Sequence, residues 1–235
     1  MQRRTFHHHA GAGALGLCLL AAHGRALALS LGDLSSADAT SGVKTALAQG
    51  AQAAVALLGR TDGFLGNPQV RIPLPGKLEK AAELMRRFGQ GRRIDELVTS
   101  MNRAAEQAVP MGRDLLVGAV QTMTVTDAKG ILAGGETSVT EFFARKTRAP
   151  LGERFLPVVG RAIEQVGLTQ QYNAFASKAA GFGLIRQEDA NLSQYVTGKT
   201  LDGLYLMIGE EEKKIRQDPV GTGSAILRKV FGALQ

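Results

Sequence analysis

T-G-K-T-L-D-G-L-Y-L-M-I-G-E-E-E-K-K-I-R-Q-D-P, running from Thr197 to Pro219, reads as one long helix. Leu201, Leu204, Tyr205, Ile208 and Ile215 recur at three- and four-residue spacing and therefore share a face, on which the rest of the chain is expected to assemble. Glu211 falls within that stripe, four residues before Ile215, while Glu210 and Glu212 are read as pointing elsewhere. Pro219 has no N–H to donate and restricts Asp218, so the helix is expected to stop there.

Working outward, the same periodicity recurs along most of the chain. Ser41 to Leu58 places Val43, Leu47, Ala51, Ala54, Val55 and Leu58 on one side, with Gly59 as the stop. Helices are also expected over Gly76–Phe88 and Arg92–Val109, the second burying Ile94, Leu97, Val98, Met101, Ala104, Ala105 and Ala108. Pro110 opens or bends the next, and Thr126 is read as the N-cap of a short one closed by Gly134-Gly135. Val139–Thr147 should bury Phe142 and Phe143; a separate helix, Leu151–Val166, is expected to kink at Pro157. Thr169–Ala180, a short turn over Leu192–Val196 and a final amphipathic helix around Ile226–Phe231 complete the set.

The exception lies between residues 60 and 75. Three prolines and two glycines in T-D-G-F-L-G-N-P-Q-V-R-I-P-L-P forbid a continuous helix, while Phe64, Leu65, Val70, Ile72 and Leu74 suit a belt packed onto the body. Val70-Arg71-Ile72 has the composition of a short extended piece. No stretch alternates as a sheet strand does, and no solenoid repeat is present. The expected fold is all-α: one compact domain of about ten helices over residues 41–235, with the irregular segment 60–75, a flexible lead-in over 29–40 and a cleavable signal peptide over 1–28.

The signal reading follows from the N-terminus. Arg3 and Arg4 precede the apolar run Ala10–Ala22, too short for a stable bilayer anchor, and Ala26-Leu27-Ala28 supplies small residues at a cleavage site. Arg3-Arg4-Thr5-Phe6 also resembles a twin-arginine export motif. Export to the periplasm is the expectation; the alternative, a lipoprotein anchored through Cys18, requires a small residue where Leu17 stands. Cleavage after Ala28 would leave about 207 residues, enough to bury roughly 70% of the unfolded surface. It would also remove all four histidines and Cys18, in a chain that has no tryptophan. The net charge would fall from +7 to about +4, too mild to argue for nucleic acid. No later stretch is long and apolar enough for a transmembrane segment.

Several stretches then carry a family resemblance: Asp62–Pro75, M-N-R-A-A-E (Met101–Glu106), T-D-A-K-G-I-L-A-G-G (Thr126–Gly135), F-F-A-R-K-T (Phe142–Thr147) and Leu201–Arg216. Together they resemble an exported bacterial family known as domain of unknown function number four-one-nine-seven, covering roughly Val43 to Gly232. The resemblance implies an all-helical envelope protein and supplies no catalytic residues. Thr222 and Gly223 stand where an Arg-Thr pair is expected after Pro219.

Loss of imidazole and thiol closes the Ser-His-Asp, thiolate and ordinary zinc or copper chemistries, leaving carboxylates. No cofactor or metal is expected. Gly11–Gly16 spells G-x-G-x-x-G inside the signal, and Gly198-Lys199-Thr200 lacks both the first glycine of a phosphate loop and a leading strand. The polar constellation consists of Arg103 and Glu106 on one helix, Asp127 at the start of another, and Glu211 with Arg216 near the end of the long helix. Arg103 is the expected partner of Glu211, because an unpaired buried carboxylate costs several kcal/mol. This cluster is read first as a salt-bridge network fixing helix packing and second as a ligand pocket. Asp127 is expected to complete a cap. Arg86, Arg87, Arg92 and Arg93 form a basic turn suited to weak contact with an anionic surface.

Three functions fit: a non-enzymatic binding or structural module of the envelope, with an unidentified envelope partner or small ligand; a hydrolase or lyase of an envelope polymer using Glu106, Asp127 or Glu211; or a small-molecule or lipid carrier.

Overall fold

The structure, a computed structural model, describes residues 36–218 apart from 77, 80, 81, 83–85, 87–90, 136, 166–168, 184 and 187–189. The expected signal peptide, Cys18, Arg87, the closing helix around Ile226–Phe231 and most of Gly76–Phe88 lie outside those residues. Among the described residues the protein is all-helical, with no strand.

Among the described residues seven helices carry the fold: α1 (Ser36–Leu58), α2 (Gly91–Ala108), α3 (Arg113–Gln121), α4 (Val125–Ala133), α5 (Ser138–Glu164), α6 (Thr169–Gly181) and α7 (Leu192–Gln217). The 3-10 turn Val109–Gly112 takes the chain past Pro110 from α2 into α3. The long helix α7 lies between α5 and α1, and α2 packs on both α5 and α7. Leu204, Tyr205 and Ile208 of α7 are fully buried, as are Leu47, Ala54 and Leu58 of α1 and Met101, Ala104 and Ala105 of α2.

Several helical boundaries differ from the sequence reading. α1 reaches back to Ser36, inside the expected flexible lead-in, with Asp38 in its first turn where a carboxylate meets the helix dipole. The expected turn over Leu192–Val196 is the first part of α7, capped by the Asn191 side chain, which accepts the Gln194 N–H at 3.0 Å. Most instructive is α5, where the two helices expected over 139–147 and 151–166 form one helix through Pro150 and Pro157. An interior proline costs about 3 kcal/mol. Against this, Phe143, Thr147, Leu151, Phe155, Val159 and Ile163 recur at every fourth residue and are all buried, and each large apolar side chain among them contributes about 1.5–3 kcal/mol. The stripe outweighs the prolines. Phe142 and Phe143 are buried as expected and meet edge to face, 5.3 Å between ring centroids.

Residues 60–75 form the irregular belt. Its Phe64 and Ile72 are buried to the same degree as the helical core, and no described residue in it is a strand. Asp62 adopts a left-handed φ of 64° as the chain turns out of α1. Gly203 of α7 is what lets the belt approach: a Cβ there would lie 2.9 Å from Phe64 Cε1 and 3.2 Å from Val70 Cβ.

Candidate functional site

Two side chains of α2, four residues apart and hence on one face, hold the belt in place. The Asn102 amide binds Ile72 twice, accepting its N–H at 2.8 Å and donating to its carbonyl at 2.9 Å; it also donates to the Val98 carbonyl. Glu106 Oε1 accepts the N–H groups of Phe64 at 3.0 Å and Leu65 at 3.1 Å, and Oε2 accepts from Arg103 at 2.6 Å. Arg103 reaches on to Asp62 at 2.8 Å, a bond that the left-handed turn makes available. The Glu106 side chain is only 5% exposed. Its hydrogen bond to Glu106, with that to Asp62 as a smaller contribution, raises the Arg103 guanidinium above its ordinary pKa. Two further contacts fasten the belt's far end: Glu79 Oε2 accepts the Leu74 N–H at 2.9 Å, and the Tyr195 hydroxyl donates to the Pro73 carbonyl at 2.9 Å.

The structure therefore brings Arg103 and Glu106 together and joins them to Asp62, while Glu211 and Asp127 have partners of their own. Glu211 takes Lys214 at 2.6 Å, on the partly exposed flank of α7, in place of the expected Arg103. The buried carboxylate of that helix belongs to Glu212, not Glu211. At about 100° per residue, Glu212 falls within about 30° of the centre of the Leu201–Ile208 stripe, whereas Glu211 falls about 70° to one side. Asp127 sits at the head of α4 in a capping box with Thr124, which replaces Thr126 as N-cap. The Thr124 hydroxyl and N–H both donate to Asp127, at 2.8 and 3.1 Å, and hold its carboxyl below the ordinary value. Arg145 and Lys146 of α5 lie 3.6 and 3.8 Å from the same carboxylate. Arg216 falls on the last turn of α7; its side chain is outside the described set. In the basic turn, Arg86 is tied to both Glu79 and Asp95, and Arg92 to Glu96; Arg92 and Arg93 are both exposed.

The open cavity lies on the belt's other side, against α7. A cleft of about 680 Å³ runs between Val70–Gly76 and α7, floored by Val70, Leu74 and Ile185, with Leu206 half-exposed along it. It shares Arg186, Tyr195, Lys199 and Asp202 with a smaller, polar compartment of about 280 Å³, to which Arg148 also contributes. Arg71 stands on the belt side. Among the described lining residues four cations, Arg71, Arg148, Arg186 and Lys199, stand with one carboxylate, Asp202, which accepts from Arg148 at 2.6 Å and lies 3.8 Å from Lys199, while Arg186 has an interaction of its own. Arg148 also lies over the Tyr205 ring, 5.9 Å from its centroid, and Tyr205, its hydroxyl 3.0 Å from Thr147, is pushed to a higher pKa by burial. Lys199, read in sequence as a failed phosphate loop, stands mid-helix. A further groove of about 810 Å³ follows α2 past Asp95, Ser100 and Arg103 to Ala162 of α5.

Asn102 and Asp62 were the members missed. Asn102 carried a readable signal: with Glu106 it interrupts the apolar face of α2 at i,i+4. Asp62 carried none, because its partner lies 41 residues away in sequence.

A helical body with a stapled belt and a charged cleft defines the class: an all-α domain with one irregular segment. The chain belongs to the family described as protein of unknown function (DUF4197), which matches residues 33–232. No curated protein and no solved structure matches it. Among the described residues, no helix is long and apolar enough to cross a membrane.

Proposed function

We propose that this protein is a non-enzymatic binding module of the bacterial envelope, in which the belt forms one wall of a ligand cleft and α7 the other. The observation that carries the reading is the condition of Glu106. Its carboxylate accepts two backbone N–H groups and a guanidinium while almost wholly buried, so it positions the belt and faces no substrate. That weighs against the carboxylate-dependent hydrolase or lyase, which would use Glu106, Asp127 or Glu211. Asp127 is engaged in a helix cap and Glu211 in a flank ion pair.

Native mass spectrometry of the protein purified from its source is expected to find a ligand retained without covalent attachment and released unchanged in mass. A consistently empty protein, or a released ligand of altered mass whose conversion is lost in a folded Asp202→Asn variant, would overturn the reading. Export belongs to the same proposal. N-terminal sequencing of the periplasmic fraction is expected to begin at Leu29; a protein that still begins at Met1 would remove export, and one beginning at Cys18 would replace the soluble form with a lipid-anchored one.

A further inference from the structure

The two compartments of the belt cleft differ in chemistry in a way that specifies a ligand. The smaller is polar and collects Arg148, Arg186 and Lys199 around Asp202. The larger continues from it over an apolar floor, Val70, Leu74 and Ile185, and ends beside the half-exposed Leu206. A cationic recess joined to an apolar trough suits a molecule with an acidic head and an apolar tail. Both volumes together fall within the span of small-molecule sites, about 300–1,000 Å³.

We infer that the cleft binds a single-chain anionic amphiphile, its carboxylate or phosphate head among Arg148, Arg186 and Lys199 and its tail along the trough beneath Arg71. The assignment rests on the binding-module reading and adds to it the class of ligand. Guanidinium and ammonium groups recognise carboxylate and phosphate alike, so either head satisfies the recess. Asp202 is the internal competitor. It engages Arg148 and Lys199, Arg186 has an interaction of its own, and an incoming anion must compete for all three cations. Sugar and nucleic acid fit less well: the aromatic side chain lining the cleft, Tyr195, is buried with its hydroxyl on Pro73, so it offers no stacking platform. Phe182, 82% exposed and one residue from Gly183 of the cleft wall, makes a membrane surface the rival partner.

The test is titration calorimetry of the purified protein with dodecanoate, dodecyl phosphate, the neutral dodecyl maltoside and inorganic phosphate, each below its micelle threshold. Zwitterionic vesicles with and without anionic lipid form a parallel arm. Both acidic amphiphiles are expected to bind about tenfold or more tighter than the neutral one. Lys199→Gln and Leu206→Asn should each weaken them about three- to tenfold, and Asp202→Asn should tighten them severalfold by removing a like charge. All three positions are partly exposed, so thermal melting should confirm intact folds. Equal binding of the neutral and acidic amphiphiles overturns the inference, as does tighter binding of inorganic phosphate alone or an unchanged affinity in Asp202→Asn. Binding confined to anionic vesicles and lost in Phe182→Ser assigns the surface to membrane docking instead. If the amphiphiles fail while native mass spectrometry still finds another retained ligand, the ligand class falls and the binding-module reading stands; if a bound amphiphile is chemically converted, the reverse holds.

Discussion

The two faces of the belt use the same residue types to opposite ends. On the α2 side, Asn102, Arg103 and Glu106 are buried or half-buried; Asn102 and Glu106 bind backbone groups of the belt, and Arg103 joins Glu106 to the Asp62 carboxylate. On the α7 side, Arg148, Lys199 and Asp202 stand 40–49% exposed, and their bonds are to one another. A buried carboxylate bound to backbone N–H groups defines where a segment sits. An exposed one paired with long flexible side chains contributes little to stability and leaves them free to rearrange around another anion. The contrast teaches which face is architecture and which is available.

Breaking the buried side should produce the largest effect. Glu106→Ala would strand the N–H groups of Phe64 and Leu65 and leave Arg103 with Asp62 alone; each buried unsatisfied group costs about 1–3 kcal/mol, so a loss of about 3 kcal/mol or more is expected in urea unfolding. A loss under about 1 kcal/mol would remove the distinction between the two faces. Next comes Gly203→Ala, whose methyl would press on Phe64 and Val70; overpacking of this kind costs about 1–3 kcal/mol. Because Gly203 also lines the cleft, hydrogen exchange should show faster opening of residues 64–70 in that variant.

A smaller effect is expected at the helix cap. Asp127 is held below its ordinary value of 3.8, chiefly by the Thr124 hydroxyl and then by the Thr124 N–H. A depressed carboxyl adds stability that is fully present above its unfolded value and is lost as the pH falls through the folded one. Asp127→Asn should therefore destabilise the protein by about 1 kcal/mol at neutral pH, with the difference from the parent shrinking below pH 4. Smallest of all, Asp202→Asn should change the unfolding free energy by about 0.5 kcal/mol or less. A large loss there would make the exposed network structural too, and the comparison would fail.

How much was legible depended on whether a signal was local. The buried faces of α1, α2 and α7 followed from periodicity, because one helix turn fixes which side chains coincide. Glu211 and Glu212 both satisfy three- and four-residue spacing, and only the angle about the axis separates them. Thr124 and Thr126 are two apart and equally good caps by type; the capping box with Asp127 decides. The prolines of α5 misled because their cost is local while the compensating stripe extends over the whole helix. The cleft was not visible at all: Arg71 and Lys199 are separated by most of the domain in sequence, and each alone reads as ordinary surface.

The two prolines inside α5 carry a consequence for how the molecule forms. Pro150 and Pro157 deprive the carbonyls of Lys146 and Glu153 of their usual donors, so this segment in isolation has little tendency to hold its shape. It holds as one helix only once α2 and α7 pack against it. Chains truncated before residue 192 should accordingly lose order in the middle of the sequence as well as at the cut, making the last long segment the cooperative switch for folding the whole.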